Sequence, residues 1–273
     1  MKEQLRAIIR GADPSPSPPG VAVNLVREYL QARILLALQD AGAMIPLAFQ
    51  GGTALRFLFG LPRFSEDLRF ALERPGRSGF DLVGVGQRVT AQLKREGYQV
   101  VTKPKTGGVV SSFMVAFPGV LYELGLSPHP SQRLRIRIEL DTKPPSGAGL
   151  ATTILRRHVL LNLQHHDRPS LLAGKLHAIL QRNWMKGRDL FDLFWYLSDP
   201  TWPGPNLVLL NNALRQTGWQ SPPLEASTWR PVVSEQVESA DWKAAEHDVA
   251  PFLEPGPERA LFGRDNLLRL LAP

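Results

Sequence analysis

The hydrophobic and polar positions of the chain change period along its length. Over residues 21–42, Leu25, Val26, Tyr29, Leu30, Ile34, Leu35 and Leu38 recur at intervals of one, three and four, which predicts a helix. A shorter helix is predicted over residues 1–10. Between the two, residues 13–20 form a proline-rich linker, kept extended by fixed φ angles and missing donors. Residues 44–50 are a short apolar run that ends at Gly51-Gly52. They read as a strand, with Pro46 at its start or on a sheet edge. Residues 68–72 give a second strand. Residues 79–97 are helical, with Leu82, Val85, Val89 and Leu93 on one face. Residues 98–102 and 109–117 read as strands separated by a Lys/Pro/Gly turn.

Residues 133–141 alternate strictly. Leu134, Ile136, Ile138 and Leu140 take one face, and Arg133, Arg135, Arg137, Glu139 and Asp141 the other. Pro144-Pro145-Ser146-Gly147 breaks the chain, and residues 152–163 read as a further strand or a ragged helix. Beyond them the pattern is helical, over residues 169–181, 188–197, 207–217, 234–252 and 258–271. The change near residues 160–170 predicts three parts. These are an N-terminal segment and linker (1–20), an α/β core with a mixed sheet and flanking helices (21–160), and a helical C-terminal module (161–273).

Composition narrows the picture. A chain of 273 residues can bury a substantial core. It has no cysteine, which excludes disulfides, thiolate metal sites and a thiol nucleophile. Charges run through the first residues, so they do not read as a signal peptide, and no apolar run is long enough to span a membrane. The expectation is a cytoplasmic protein. The net charge of +7, carried mainly by arginine, favours an acidic partner such as nucleic acid or nucleotide phosphate. A genome that uses arginine freely gives the same charge.

The first candidate for chemistry is Gly51-Gly52-Thr53. Adjacent glycines after a strand let the backbone turn tightly and approach a ligand, and Thr53 suits a helix N-cap. A helix start there offers free N–H groups to an anion. Asp67 follows one helix and one turn later, sharing a strand face with Arg69. Transfer of phosphoryl or nucleotidyl groups needs such a cradle, together with carboxylates that hold Mg²⁺ against the phosphates. Glu139 and Asp141 are candidates for a carboxylate from a neighbouring strand. A tight turn beside a solvated acidic strand end reads equally well from these residues alone. The second candidate is Lys175, His177, Arg182, Lys186 and Arg188, with Asp189 and Asp192 in the first turn of the next helix. A lysine aimed at a triphosphate and an ordinary salt-bridged helix pair both fit.

Four motifs occur in order: Gly51-Gly52-Thr53-Ala54-Leu55-Arg56, Arg63-Phe64-Ser65-Glu66-Asp67-Leu68, Leu172-Ala173-Gly174-Lys175 and Arg188-Asp189-Leu190-Phe191-Asp192. Together they resemble the AbiEii/AbiGii-type toxin nucleotidyltransferases of the DNA polymerase β-like nucleotidyltransferase superfamily. The similarity spans roughly residues 21–200. The resemblance implies a Mg²⁺- or Mn²⁺-dependent enzyme that moves a nucleoside monophosphate from an NTP to an acceptor, tRNA in related toxins. It also implies a cognate antitoxin and a role in toxin–antitoxin or phage-defence systems. By motif position, Gly51, Gly52, Thr53 and Lys175 would hold phosphates, with Ser65, Arg69, Arg182 and Arg188 as further nucleotide contacts. Asp67 and Glu139 would bind metal, Glu139 or Asp141 would help deprotonate the acceptor, and Asp189 would orient the site.

One departure matters. The family pattern is Asp-x-Asp, and here it is Asp67-Leu68-Arg69. A guanidinium cannot ligate Mg²⁺, and at an effective dielectric near 20 a like charge at ~4 Å costs on the order of 4 kcal/mol. Three outcomes follow: an altered one-metal site on Asp67 and Glu139, a degenerate homologue that binds nucleotide through Arg69, or RNA or a partner protein, without turnover, or an Arg69 turned outward while Glu139 and Asp141 suffice. Arg133, Arg135 and Arg137 form a basic stripe that leads to Glu139 and reads as a track for an RNA backbone. His165-His166-Asp167 lies in a polar junction where adjacent residues do not share a face, against a metal site. The tryptophans of the C-terminal half read as core.

Overall fold

The computed structural model describes residues 2–11, 19–73, 80–105, 107–182 and 184–272. Most of the expected linker, residues 13–18, lies outside them. The chain divides into two units. The first comprises Met1–Leu58, Phe64–Lys143 and Thr152–His165; the second comprises Phe59–Arg63, Pro144–Ala151 and His166–Pro273.

The first unit is built on a mixed sheet. In chain order its elements are α1 (Lys2–Gly11), α2 (Pro19–Asp40), β1 (Leu47–Gln50), α3 (Gly51–Phe59), β2 (Leu68–Leu72), α4 (Leu82–Arg95), β3 (Val101–Lys105), β4 (Val110–Pro118), α5 (Val120–Glu123), β5 (Arg133–Asp141), β6 (Leu150–Arg157) and β7 (Val159–His166). The strands lie in the order β3-β4-β5-β2-β1-β7-β6. β2 is antiparallel to β1 and parallel to β5, which places three strands of distant sequence side by side.

The alternation of β5 is what the sheet needs. Leu134, Ile136, Ile138 and Leu140 are buried, while Arg133, Arg135 and Arg137 are exposed. Helices α2 and α4 pack on the sheet. Proline at the start of α2 costs no hydrogen bond, because that N–H has no partner in a helix anyway. In α4, Asp81 caps the helix by accepting from Gly84 N at 2.8 Å, and Val85, Val89 and Leu93 are buried.

The second unit is helical. It contains α6 (Arg168–Gln181), α7 (Gly187–Leu197), α8 (Leu207–Gln216), α9 (Trp229–Glu238), α10 (Trp242–Val249), α11 (Pro257–Leu261) and α12 (Arg264–Leu271). Leu172, Leu176, Leu190, Phe194, Leu210, Val233 and Leu267 belong to its core. Asp167, Asn206 and Asp241 cap three of the helices with side-chain acceptors.

Four elements depart from the sequence reading. Residues 152–163 belong to a hairpin, β6 and β7, whose turn at His158 has φ +63°. A left-handed histidine is costly, and here it is held by its neighbours: the ring lies edge-on to Tyr29, and Nε2 is 3.4 Å from Glu28. β3 runs on through Pro104, tolerated because β3 is an edge strand with β4 on one side only. Residues 234–252 are two helices and a 3-10 turn, broken before the cap Asp241. Residues 258–271 are broken in turn at Phe262-Gly263.

Candidate active site

In the first unit, β1 ends at Gln50 and the chain turns through Gly51, whose φ is +80°. An L side chain is disfavoured there, and a Cβ would also touch the Arg69 Cδ at 3.4 Å. Strand register then builds the site. Gln50 lies beside Arg69, Arg69 beside Glu139, Glu139 beside Ser112, and Ser112 beside Lys105. Asp67 immediately precedes β2, with Leu68 paired to Ile138. The glycine turn, Asp67, Arg69 and Glu139 therefore meet at one place in the sheet.

The loop before β2 is firmly held. Thr53 Oγ1 is 2.8 Å from Ser65 Oγ and 2.5 Å from the Asp67 carbonyl. Gln31 Nε2 donates to the carbonyls of Ser65 and Glu66 at 2.9 and 3.0 Å. Thr53 is not the cap of α3, as the sequence led us to expect: the helix already begins at Gly51, and the threonine hydroxyl is buried against the loop. Through Ser65 Oγ and the Asp67 carbonyl, its side chain fastens the loop that carries Asp67.

Asp67 is surrounded by charge. Burial pushes its carboxyl up, Glu139 pushes the same way, and Arg69 and Arg137 pull it down. Arg69 Nε lies 2.9 Å from Glu139 Oε2, and Arg137 approaches the other oxygen at 3.4 Å. Asp141 sits two residues further along β5, where Oδ1 accepts from Lys143 N at 3.0 Å. Among the described residues, no group of three or more His, Asp or Glu could hold a metal ion. Where the family pattern has a second carboxylate two residues after Asp67, this chain has Arg69, paired with Glu139. Asp67 and Glu139 are the two carboxylates beside the turn, and one or two carboxylates are what a Mg²⁺ site completed by substrate phosphates commonly takes; Glu139 is already paired with Arg69 and Arg137.

The second unit holds a separate charge cluster. Lys175 Nζ lies 3.0 Å from Asp189 Oδ1 and 2.5 Å from Asp192 Oδ2. Arg182 also pairs with Asp189, and Arg63 clasps Asp192 through Nε and a terminal nitrogen at 2.5 and 2.6 Å. The spacing of Lys175 and Arg182 puts them on one carboxylate, and Asp189 and Asp192 share the face that meets them. Burial alone would raise the Asp189 carboxyl, but Lys175, Arg182 and Arg63 hold it at about 2. Lys175 is 9% exposed and committed to two carboxylates. Arg188 turns elsewhere, to Asp248 at 3.7 Å and the face of Phe252 at 4.5 Å.

Other residues are now placed. His165 and His166 are buried, with His165 Nε2 2.9 Å from Thr153 Oγ1. Of the tryptophans, Trp195, Trp202, Trp219, Trp229 and Trp242 belong to the helical core or pack on it, but Trp184 is 61% exposed beside Lys186. The sequence reading missed a buried cluster in the first unit. There Glu28 pairs with His158, Arg56 and Arg157, which against the cost of burial hold its carboxyl down at about 2. The signal was available: Asn24, Glu28 and Gln31 are polar at i, i+4 and i+7 of α2, and all three are buried.

The fold is that of a nucleotidyltransferase. It is shared with a crystal structure from H. pylori provisionally described as a nucleotidyltransferase (TM-score 0.54, 17% identity, 90% of each chain). It is shared also with JHP933 from Helicobacter pylori (TM-score 0.52, 16% identity, 91% of this chain and 88% of that one). No curated protein sequence matches the chain. The sequence model of the nucleotidyl transferase AbiEii toxins of type IV toxin–antitoxin systems matches residues 33–263, and the chain belongs to that family. Among the described residues, no helix is long and apolar enough to cross a membrane.

Proposed function

We propose that the protein transfers a nucleoside monophosphate from an NTP to an RNA acceptor, with tRNA the first candidate, as the toxin of a toxin–antitoxin pair. The observation that carries this reading is the meeting of the Gly51-Gly52 turn with Asp67 and Glu139 on adjacent strands. The turn and the start of α3 receive phosphates through backbone N–H groups. Asp67 and Glu139 would hold a Mg²⁺ or Mn²⁺ ion, whose contribution is to neutralise charge on the triphosphate. The acceptor hydroxyl attacks the α-phosphorus in line. The new P–O bond forms as the bond to pyrophosphate breaks, and the hydroxyl proton leaves to Glu139 or Asp141. Lys175, Arg182 and Asp189 form a braced basic cluster for anionic substrate, with Arg182 its more exposed cation. A cognate antitoxin is part of this proposal, drawn from the family.

One observation favours a second reading, binding without turnover: Arg69 occupies Glu139. Incubation with labelled NTPs, Mg²⁺ or Mn²⁺ and total tRNA separates the two. Transfer predicts label on RNA that Asp67→Ala abolishes, by at least about a hundredfold. Nucleotide binding with no label on RNA in the wild type would favour the second reading.

A further inference from the structure

We propose that Arg69 takes the place of one divalent ion, so that the triphosphate is held by a resident guanidinium and its binding does not require metal. The inference rests on the nucleotide-transfer reading and names how that site recognises phosphate.

The geometry supports it from three sides. The Arg69 stem lies over Gly51, at the mouth of the glycine turn, with Cδ 3.4 Å from where a Cβ would stand. Its head is on Glu139 through Nε, and a guanidinium carries five donors in a planar fork that suits phosphate oxygens. The side chain is 43% exposed, so the fork is open to a ligand. The surrounding sheet face adds positive charge. Arg137 is also on Glu139, and Lys105 stands in the same cross-strand row as Glu139 through Ser112. The carboxylates opposing them are Asp67, Glu139 and the neighbouring Glu66. A site with two metal ions would need carboxylates where this one supplies cations.

A cation built into the chain cannot be chelated away, and this gives the test. Calorimetric titration of the full chain with inorganic tripolyphosphate, and with each NTP, is run in EDTA and again with Mg²⁺. The wild type binds in EDTA, and Mg²⁺ strengthens that binding without being required for it. Arg69→Gln loses about tenfold or more in EDTA. Arg69→Asp restores the family carboxylate and binds only with Mg²⁺. Wild-type binding seen only with Mg²⁺, or Arg69→Gln binding like wild type in EDTA, overturns the inference and leaves the transfer reading standing. If the wild type binds none of these probes with or without Mg²⁺, the transfer reading itself falls and takes the inference with it. Should either variant melt early, the wild-type comparison in EDTA and Mg²⁺ decides alone.

Discussion

Lys175 shows how much a residue's partners decide its role. On sequence alone it could reach for a triphosphate or for carboxylates, and the structure gives it two carboxylates, on α7. Asp192 is the pivot: fully buried, it takes Lys175 on one oxygen and Arg63 on both. Asp192→Ala takes its carboxylate from the buried Arg63 and one of two from Lys175, and breaking such a buried pair costs about 3–5 kcal/mol. Chemical denaturation should show that loss, and Asp192→Asn should lose less. The pairing of Arg63 with Asp192 was not legible in the sequence, because the two are 129 positions apart and no local pattern links them. The pairing of Asp189 and Asp192 on one helix face was legible, since i and i+3 fix it. Arg69 was recognised as out of place, but only strand register shows that it rests on Glu139 rather than turning outward.

At the scale of elements, periodicity read the long helices and the alternating strand correctly, because one face of each must be buried. It failed where tertiary contact overrides local preference. The turn at His158 has no Gly or Asn to announce it, and it exists because Glu28 and Tyr29 hold the ring. β3 continues through Pro104 because an edge strand spares the missing donor. The helix junctions are similarly exacting. A Cβ on Gly187, the first residue of α7, would stand 1.7 Å from the Ala245 carbonyl oxygen on α10. Gly187→Ala must push the helices apart, at a cost of about 1–3 kcal/mol or more. A fall in melting temperature is the expected result.

For the whole molecule, the fold class and family were legible because four short motifs occur in the right order, and register then brings the first two together with Glu139. Acid stability was not legible, since it depends on buried pairs distant in sequence. Glu28 and Asp189 are both held at about 2, below the ordinary 4.5 and 3.8. A depressed carboxylate contributes stability that is present above its unfolded value and lost as pH falls through the folded one. The window therefore runs from about pH 5 down to about pH 2, with each group contributing on the order of 2–3 kcal/mol. Glu28→Gln and Asp189→Asn should each be less stable at neutral pH and show a shallower fall across that window in urea titrations at graded pH.

The central claim is a reaction class, and the position of the label tests it most directly. NTPs labelled on the α-phosphate and, separately, on the γ-phosphate are incubated with the protein, Mg²⁺ and total tRNA. Nucleotidyl transfer predicts α-label on RNA, γ-label only in released pyrophosphate, and loss of both signals in Asp67→Ala. Label on RNA from the γ-phosphate, or α-label incorporation that survives Asp67→Ala undiminished, would contradict the account.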